Sequence, residues 1–199
     1  MLKRIALIFA ALTLLAIMVG CGKAPEAEMQ NANAAMEAAK MAEAETYAGE
    51  LFNAAQDTLN SAMAAKQEQD SKFALFRSYG KAKEGFVAAE QMFNNAATEA
   101  AAEKERVRVQ VEQMMVEVKA VVDSAVMALQ KAPRGKGSKA DIELIKTDLA
   151  AVQAQLVEAE ADFATGKFMA VKSKLEAVAQ KARAIIDEIA VASGKKVGM

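Results

Sequence analysis

Apolar side chains recur along this chain in steps of three and four, the spacing that aligns one residue per turn on a single helix face. After Thr46 the stripe is Phe52, Ala55, Leu59 and Ala62; it fades through the polar run 66–72 and resumes at Phe73 and Phe76. A second run follows at Leu75, Tyr79, Ala82, Phe86, Ala89 and Phe93. Past the charged stretch 103–106 comes a third, at Val107, Val111, Met114, Val118, Val121, Ala125 and Ala128. Pro133, Gly135 and Gly137 break the pattern, because proline lacks the amide that a helix interior needs and glycine loosens the chain. Ser138 and Asp141 form a capping pair, and Ile142, Ile145, Leu149, Val152, Leu156, Ala159 and Phe163 then make an unbroken ladder. Thr165 and Gly166 stop it. The last ladder is Phe168, Val171, Leu175, Val178, Ala182, Ile185 and Ile189.

These ladders predict an all-α fold: an elongated antiparallel helical bundle with one long helical hairpin over 46–131 and a shorter C-terminal hairpin over 140–192. A loop at 132–139 joins them, and 193–199 reads as a frayed tail. Residues 24–45 carry no aromatic side chain; propensity favours helix there, position favours a tether, and only packing can decide. The first corner falls either within 66–71 or at Arg77–Ser78. The second choice gives two helices of nearly equal length, 25–77 and 79–131. It is preferred because Tyr79, Ala82, Phe86 and Ala89 then repeat the spacing of Phe168, Val171, Leu175 and Val178. Helices of that length would run about 80 Å.

Composition narrows the chemistry. Of 199 residues, 46 are alanine, and neither tryptophan nor histidine occurs. Alanine, glutamate, lysine and methionine favour helix, so composition as well as period points away from a sheet protein. The net charge of −1 is spread in both signs along the chain, with no basic stripe to neutralise a phosphate backbone, so nucleic acid is not an expected partner. Without histidine the commonest general base and metal ligand are missing. No nucleophile elbow, phosphate loop, dinucleotide fingerprint or calcium loop occurs. Glu26, Glu28, Glu43, Glu45, Glu99, Glu103, Glu158, Glu160 and Asp162 read as solvated helix faces and partners for lysine. Ser78 and Ser138 read as caps. No catalytic residue, cofactor or metal is expected. Met29, Met36, Met92, Met114, Met115, Met127 and Met169 read as gap-fillers, or as the lining of an adaptable apolar cavity.

The N-terminus is an address. Lys3 and Arg4 precede a charge-free apolar run over 5–19, too short to span a membrane and the right length for a secretory segment. Met18-Val19-Gly20-Cys21 resembles the lipobox of bacterial lipoproteins, and Cys21 is the only cysteine in the chain. The resemblance implies cleavage between Gly20 and Cys21, a diacylglycerol thioether on Cys21, and acylation of the new amino group. Gly22 resembles the pattern sorted to the outer membrane, so the mature chain 21–199 would face the periplasm as a membrane-anchored lipoprotein. Further on, Ser-Tyr79-Gly-Lys-Ala82 and Gly-Lys-Phe168-Met-Ala-Val171 resemble the corners of tetratricopeptide-type hairpins. Alanine-rich bacterial lipoproteins with such hairpins form families of unknown function, and the likeness covers roughly 46–131 and 140–192. The tryptophan and proline punctuation of that repeat is missing, so no peptide-binding groove is implied.

Together these features predict a lipid-anchored, non-enzymatic structural or interaction module of the envelope. Its partner would be another envelope protein or itself, met through Phe73, Phe76, Tyr79 and Phe86 at the first corner. The alternative is a carrier of an apolar ligand or lipid in a cavity lined by methionine and valine over 107–128. The C-terminal hairpin is expected to lie on the membrane-proximal ends of the long helices as a four-helix bundle, with the 50–105 hairpin projecting beyond it. Arg134, Lys136 and Lys139 form a small basic loop that could meet lipid headgroups there.

Overall fold

The computed structural model describes residues 23–132 and 139–192. Gly20, Cys21, the predicted signal segment, the 133–138 loop with Ser138, and the tail from 193 lie outside the described residues, as do the side chains of Lys139 and Asp141. The fold is all-α, as expected. In chain order it has α1 (Glu26–Met41), α2 (Ala44–Tyr47), α3 (Gly49–Asp70), a 3₁₀ turn (Ala74–Phe76), α4 (Gly80–Gln130), α5 (Lys139–Ala164) and α6 (Phe168–Ala192). The chain divides into two compact units between Glu103 and Lys104, and α4 contributes to both.

In the first unit, α1 settles the question left open for 24–45. It is a helix, with Glu26 and Glu28 in its first turn and Lys40 in its last, signs that complement the helix dipole. Ala32, Ala35 and Ala39 are its buried face. The expected single helix over 25–77 is not found. The chain leaves α1 at Ala42, passes through a left-handed Glu43 (φ 58°), and makes one turn of α2 before Ala48 (φ −141°) opens into α3. Burial of Ala44 and Tyr47 holds this link in place. Lys66 near the end of α3 then meets Glu26 at the start of α1 at 3.0 Å, so α1 runs back along α3. The physical reason is that alanines 32, 35 and 39 bury nothing unless the chain reverses and supplies a facing helix.

Antiparallel register between α3 and α4 is set by four contacts. The Tyr79 hydroxyl donates to Asp70 Oδ1, Thr58 Oγ1 lies 3.4 Å from Met92 Sδ, and Phe52 and Phe93 meet edge to face at 5.4 Å. At the fourth, a Cβ placed on Gly85 would lie 2.8 Å from Ala62 Cβ, so the two backbones nearly touch. The core of the unit is Phe52, Phe86 and Phe93 set among Ala55, Ala62, Ala82, Ala89, Ala96 and Ala100. Alanine forgoes about 2 kcal/mol of burial per position relative to leucine. Close helix approach and intrinsic helicity offset part of that.

The second unit packs α4 beyond Lys104 with α5 and α6. α5 and α6 form an antiparallel hairpin. Its corner is a Schellman stop: Gly166 (φ 79°) donates to Phe163 O, and the Lys167 amide donates to Asp162 O. Phe163 and Phe168 close the open end with their rings 5.2 Å apart. Ile145, Leu149, Val152, Leu156 and Ala159 are buried, facing Val171, Leu175, Val178, Ala182, Ile185 and Ile189. On α4 the buried set is Val107, Val111, Val118, Val122 and Ala125. Val122 is buried in place of the expected Val121, because at 100° per residue it lies nearer the direction shared by Val111 and Val118.

Candidate interaction surfaces

The first corner is neither of the two expected ones. α3 ends at Asp70, within the 66–71 window, but α4 begins only at Gly80. The intervening 71–79 segment is a structured connection. Arg77 bends back, its Nε donating to Lys72 O and its Nη2 to Asp70 O, both at 2.9 Å. A cation is thereby placed on the carbonyl end of α3, where the dipole favours it. The Ser78 amide donates to Gln69 Oε1, and Phe73 O accepts from the Phe76 amide to close the 3₁₀ turn. The Tyr79 hydroxyl and then Lys66 hold the Asp70 carboxylate below its ordinary pKa, while Asp70 pushes the Tyr79 phenol above its own.

The structure divides the four predicted corner residues. Tyr79 and Phe86 are core side chains. Phe73 and Phe76 are 71% and 75% exposed, and Leu75 between them is 64% exposed. The spacing argument had placed Leu75 on a buried stripe. It fails because 71–79 holds one 3₁₀ turn and no α-helix, so a three-or-four step carries no facing information there. The result is a tip, Lys72-Phe73-Ala74-Leu75-Phe76-Arg77, with three large apolar side chains presented outward from a hydrogen-bonded turn.

The same end of the first unit holds the start of the described chain. Lys23, Ala24, Pro25, Glu26 and Glu28 line an open cleft of about 780 Å³ together with Arg77, Ser78, Tyr79, Gly80 and Lys83. Lys83 bridges to Glu28 at 2.9 Å, and Lys66 bridges both Glu26 and Asp70 at 3.0 Å. These exposed pairs add little stability but fix which ends are neighbours.

A further surface lies on the second-unit part of α4 and was not foreseen. Val109, Val116 and Met127 are 50%, 69% and 50% exposed. At 100° per residue they fall within about 20° of one direction, diametrically opposite the buried Val107, Val111, Val118 and Ala125. This segment therefore carries a buried apolar stripe and, opposite it, three exposed apolar side chains with Gln113, Ala120 and Asp123 between them. The signal was available in the seven-residue step from Val109 to Val116. It was obscured because the stronger 107–128 stripe already accounted for the helix. Beside the outer stripe, Arg108 is clamped by Glu105 and Glu112 at 2.7 Å each, and the pairing raises its pKa further.

The methionine and valine stretch proposed as a ligand lining is mostly closed. Val111 and Val118 are core residues, while Met114 and Met115 are half-buried and Met127 is exposed. Met114, Val118 and Val121 with Leu175 and Ala179 line a groove of about 290 Å³, rimmed by Glu117, Glu176 and Arg183. Met29, Met36 and Met92 are half-buried and Met169 is exposed. Of the predicted lipid-contacting loop, Arg134 and Lys136 lie outside the described residues, as does the Lys139 side chain. Among the described residues no helix is long and apolar enough to cross a membrane, and no three acidic or cysteine side chains gather as a metal site. Set against known proteins, no family model, no curated protein and no solved structure matches the chain.

Proposed function

We propose that the chain is a bacterial lipoprotein, acylated at Cys21 and held in the outer membrane facing the periplasm. It acts without catalysis, as an interaction module that offers helix surface to another envelope protein or to a second copy of itself. The anchor rests on the positive start, the short apolar run and the lone cysteine behind Gly20. The interaction half rests on one observation, the exposed stripe Val109, Val116 and Met127 opposite the buried face of the same helix. The helix buries one apolar face inside its own unit, and the three apolar side chains opposite it are available to a partner.

Photo-crosslinking in cells tests this reading, with a photoreactive amino acid at Val109 or Val116 and a control at Gln153, exposed on α5. The expected result is a discrete adduct from 109 and 116 and none from 153, in a protein that takes up labelled palmitate. Labelled protein without adducts refutes the interaction half; adducts from unlabelled protein refute the anchor. A second reading, carriage of an apolar ligand, draws on the groove beside Met114 and Leu175. Native mass spectrometry should then show co-purified lipid that is lost in Val121→Glu.

A further inference from the structure

We infer that the exposed tip Phe73, Leu75 and Phe76 is a second membrane contact, entering the same bilayer leaflet as the acyl chains on Cys21. The inference rests on the lipoprotein reading above and adds an orientation to it.

Chain reversal at 42–48 carries the argument. Had 25–77 been one helix, the first corner would lie far from the anchor, which is where the sequence placed it. With α1 folded back along α3, Lys23 and Pro25 share a cleft with Arg77, Ser78 and Tyr79, and Glu26 and Glu28 pair with Lys66 and Lys83. Cys21 is two residues before Lys23, and two residues of chain reach at most about 7 Å. A lipidated Cys21 therefore holds this end of the first unit at the bilayer surface, and the apolar tip belongs to that end.

The chemistry of the tip suits the interface. Three large apolar side chains stand exposed within four residues of one another in a unit whose buried positions are mostly alanine; the other exposed large apolar residues of the unit, Met41, Leu51 and Met63, stand singly. The tip carries no acidic residue; of its two cations, Arg77 is folded back onto the end of α3 and Lys72 pairs with Glu68 at 2.8 Å, so neither charge stands among the three apolar side chains. The neighbouring acids are already engaged, Glu68 by Lys72 and Asp70 by Tyr79 and Lys66. The turn is held by the Arg77 hydrogen bonds before any lipid arrives, so little ordering cost remains. An acyl anchor supplies the high local concentration, and a modest apolar insertion then fixes the tilt of the unit.

Because the chain has no tryptophan, a single one reports cleanly. The full chain is produced in bacteria as Phe73→Trp, Phe76→Trp or the control Leu51→Trp, at the opposite end of α3. Each is purified in detergent and reconstituted into vesicles of phosphatidylethanolamine and phosphatidylglycerol, with or without brominated acyl chains. Intact mass establishes acylation, and circular dichroism establishes that each variant is helical. The expected result is blue-shifted emission at 73 and 76 that loses most of its intensity to the brominated lipid, with emission at 51 unaffected. Acylated protein whose tryptophans at 73 and 76 stay unquenched overturns the inference, whether the tip then faces water or a protein, and leaves the anchor standing. A mass without acyl chains overturns the lipoprotein reading and this inference with it.

Discussion

Gly85 offers the sharpest test of how the alanine-rich unit is packed. Replacing a helical glycine by alanine ordinarily stabilises a helix by about 0.8–1.0 kcal/mol. At Gly85 the new methyl would stand 2.8 Å from Ala62 Cβ and 3.3 Å from Ala62 Cα, against an ordinary carbon contact of roughly 3.5–4.0 Å. Ala62 has no rotamer to yield, so α3 and α4 must separate by about an ångström of shared motion. Overpacking of this kind costs about 1–3 kcal/mol, which outweighs the propensity gain. Gly85→Ala should therefore be neutral to about 2 kcal/mol destabilised. Gly80→Ala, in the first turn of α4 with nothing within 4 Å, should gain a few tenths of a kcal/mol. The decisive variant is the swap. Ala62→Gly alone should lose about 1 kcal/mol of propensity, whereas Ala62→Gly with Gly85→Ala should return near the parent, giving a coupling of about 1–3 kcal/mol. Urea unfolding followed at 222 nm on the chain from residue 22 onward measures all four corners of the cycle. A Gly85→Ala variant stabilised by the full propensity gain, with no coupling to position 62, would refute the close approach of α3 and α4.

Phe93→Ala, which removes a fully buried ring packed on Phe52, should cost about 3–5 kcal/mol; Phe76→Ser, on the exposed tip, should stay within about 0.5 kcal/mol of the parent in the same urea assay. Gly166→Ala should lose about 1–2 kcal/mol although nothing crowds it, because φ 79° is the left-handed region that a Cβ disfavours; a neutral result would mean that the α5–α6 corner relaxes. Acid should also be destabilising. Lys174 and Lys167 hold Asp162 below the usual carboxylate range, as Tyr79 and Lys66 hold Asp70. A depressed folded pKa contributes stability above the unfolded value of about 3.9 and loses it as pH falls through the lower folded one. The urea midpoint should thus hold steady through mildly acid pH and fall below about 4. The fall should be smaller in Asp70→Asn with Asp162→Asn and in added salt.

Much of this architecture was legible. Every residue from Ile145 to Ala159 and from Val171 to Ile189 named on the two C-terminal ladders is buried, and Gly166 stops α5 as its freedom at positive φ suggests. The large β-branched and leucine side chains there leave one face to bury. Val121 and Val122 could not be told apart, since identical neighbours give the pattern no reason to choose. The link at 42–48 was not legible at all. No proline or glycine stands between Pro25 and Gly49, and Met-Ala-Glu-Ala-Glu is as good a helix former as its surroundings. The corner residues were found, but their fates were confused: Tyr79 and Phe86 went to the core and Phe73 and Phe76 to the surface, because spacing speaks only while the backbone stays helical.

Helical content and the C-terminal hairpin were determined by the sequence alone, since each depends on neighbours within a turn or two. Where the first helix reverses, and so which corner lies beside Lys23 and Pro25, was decided only by tertiary structure. An alanine face is too weak a signal to announce its partner, and it becomes a core only when another backbone comes close enough to cover it.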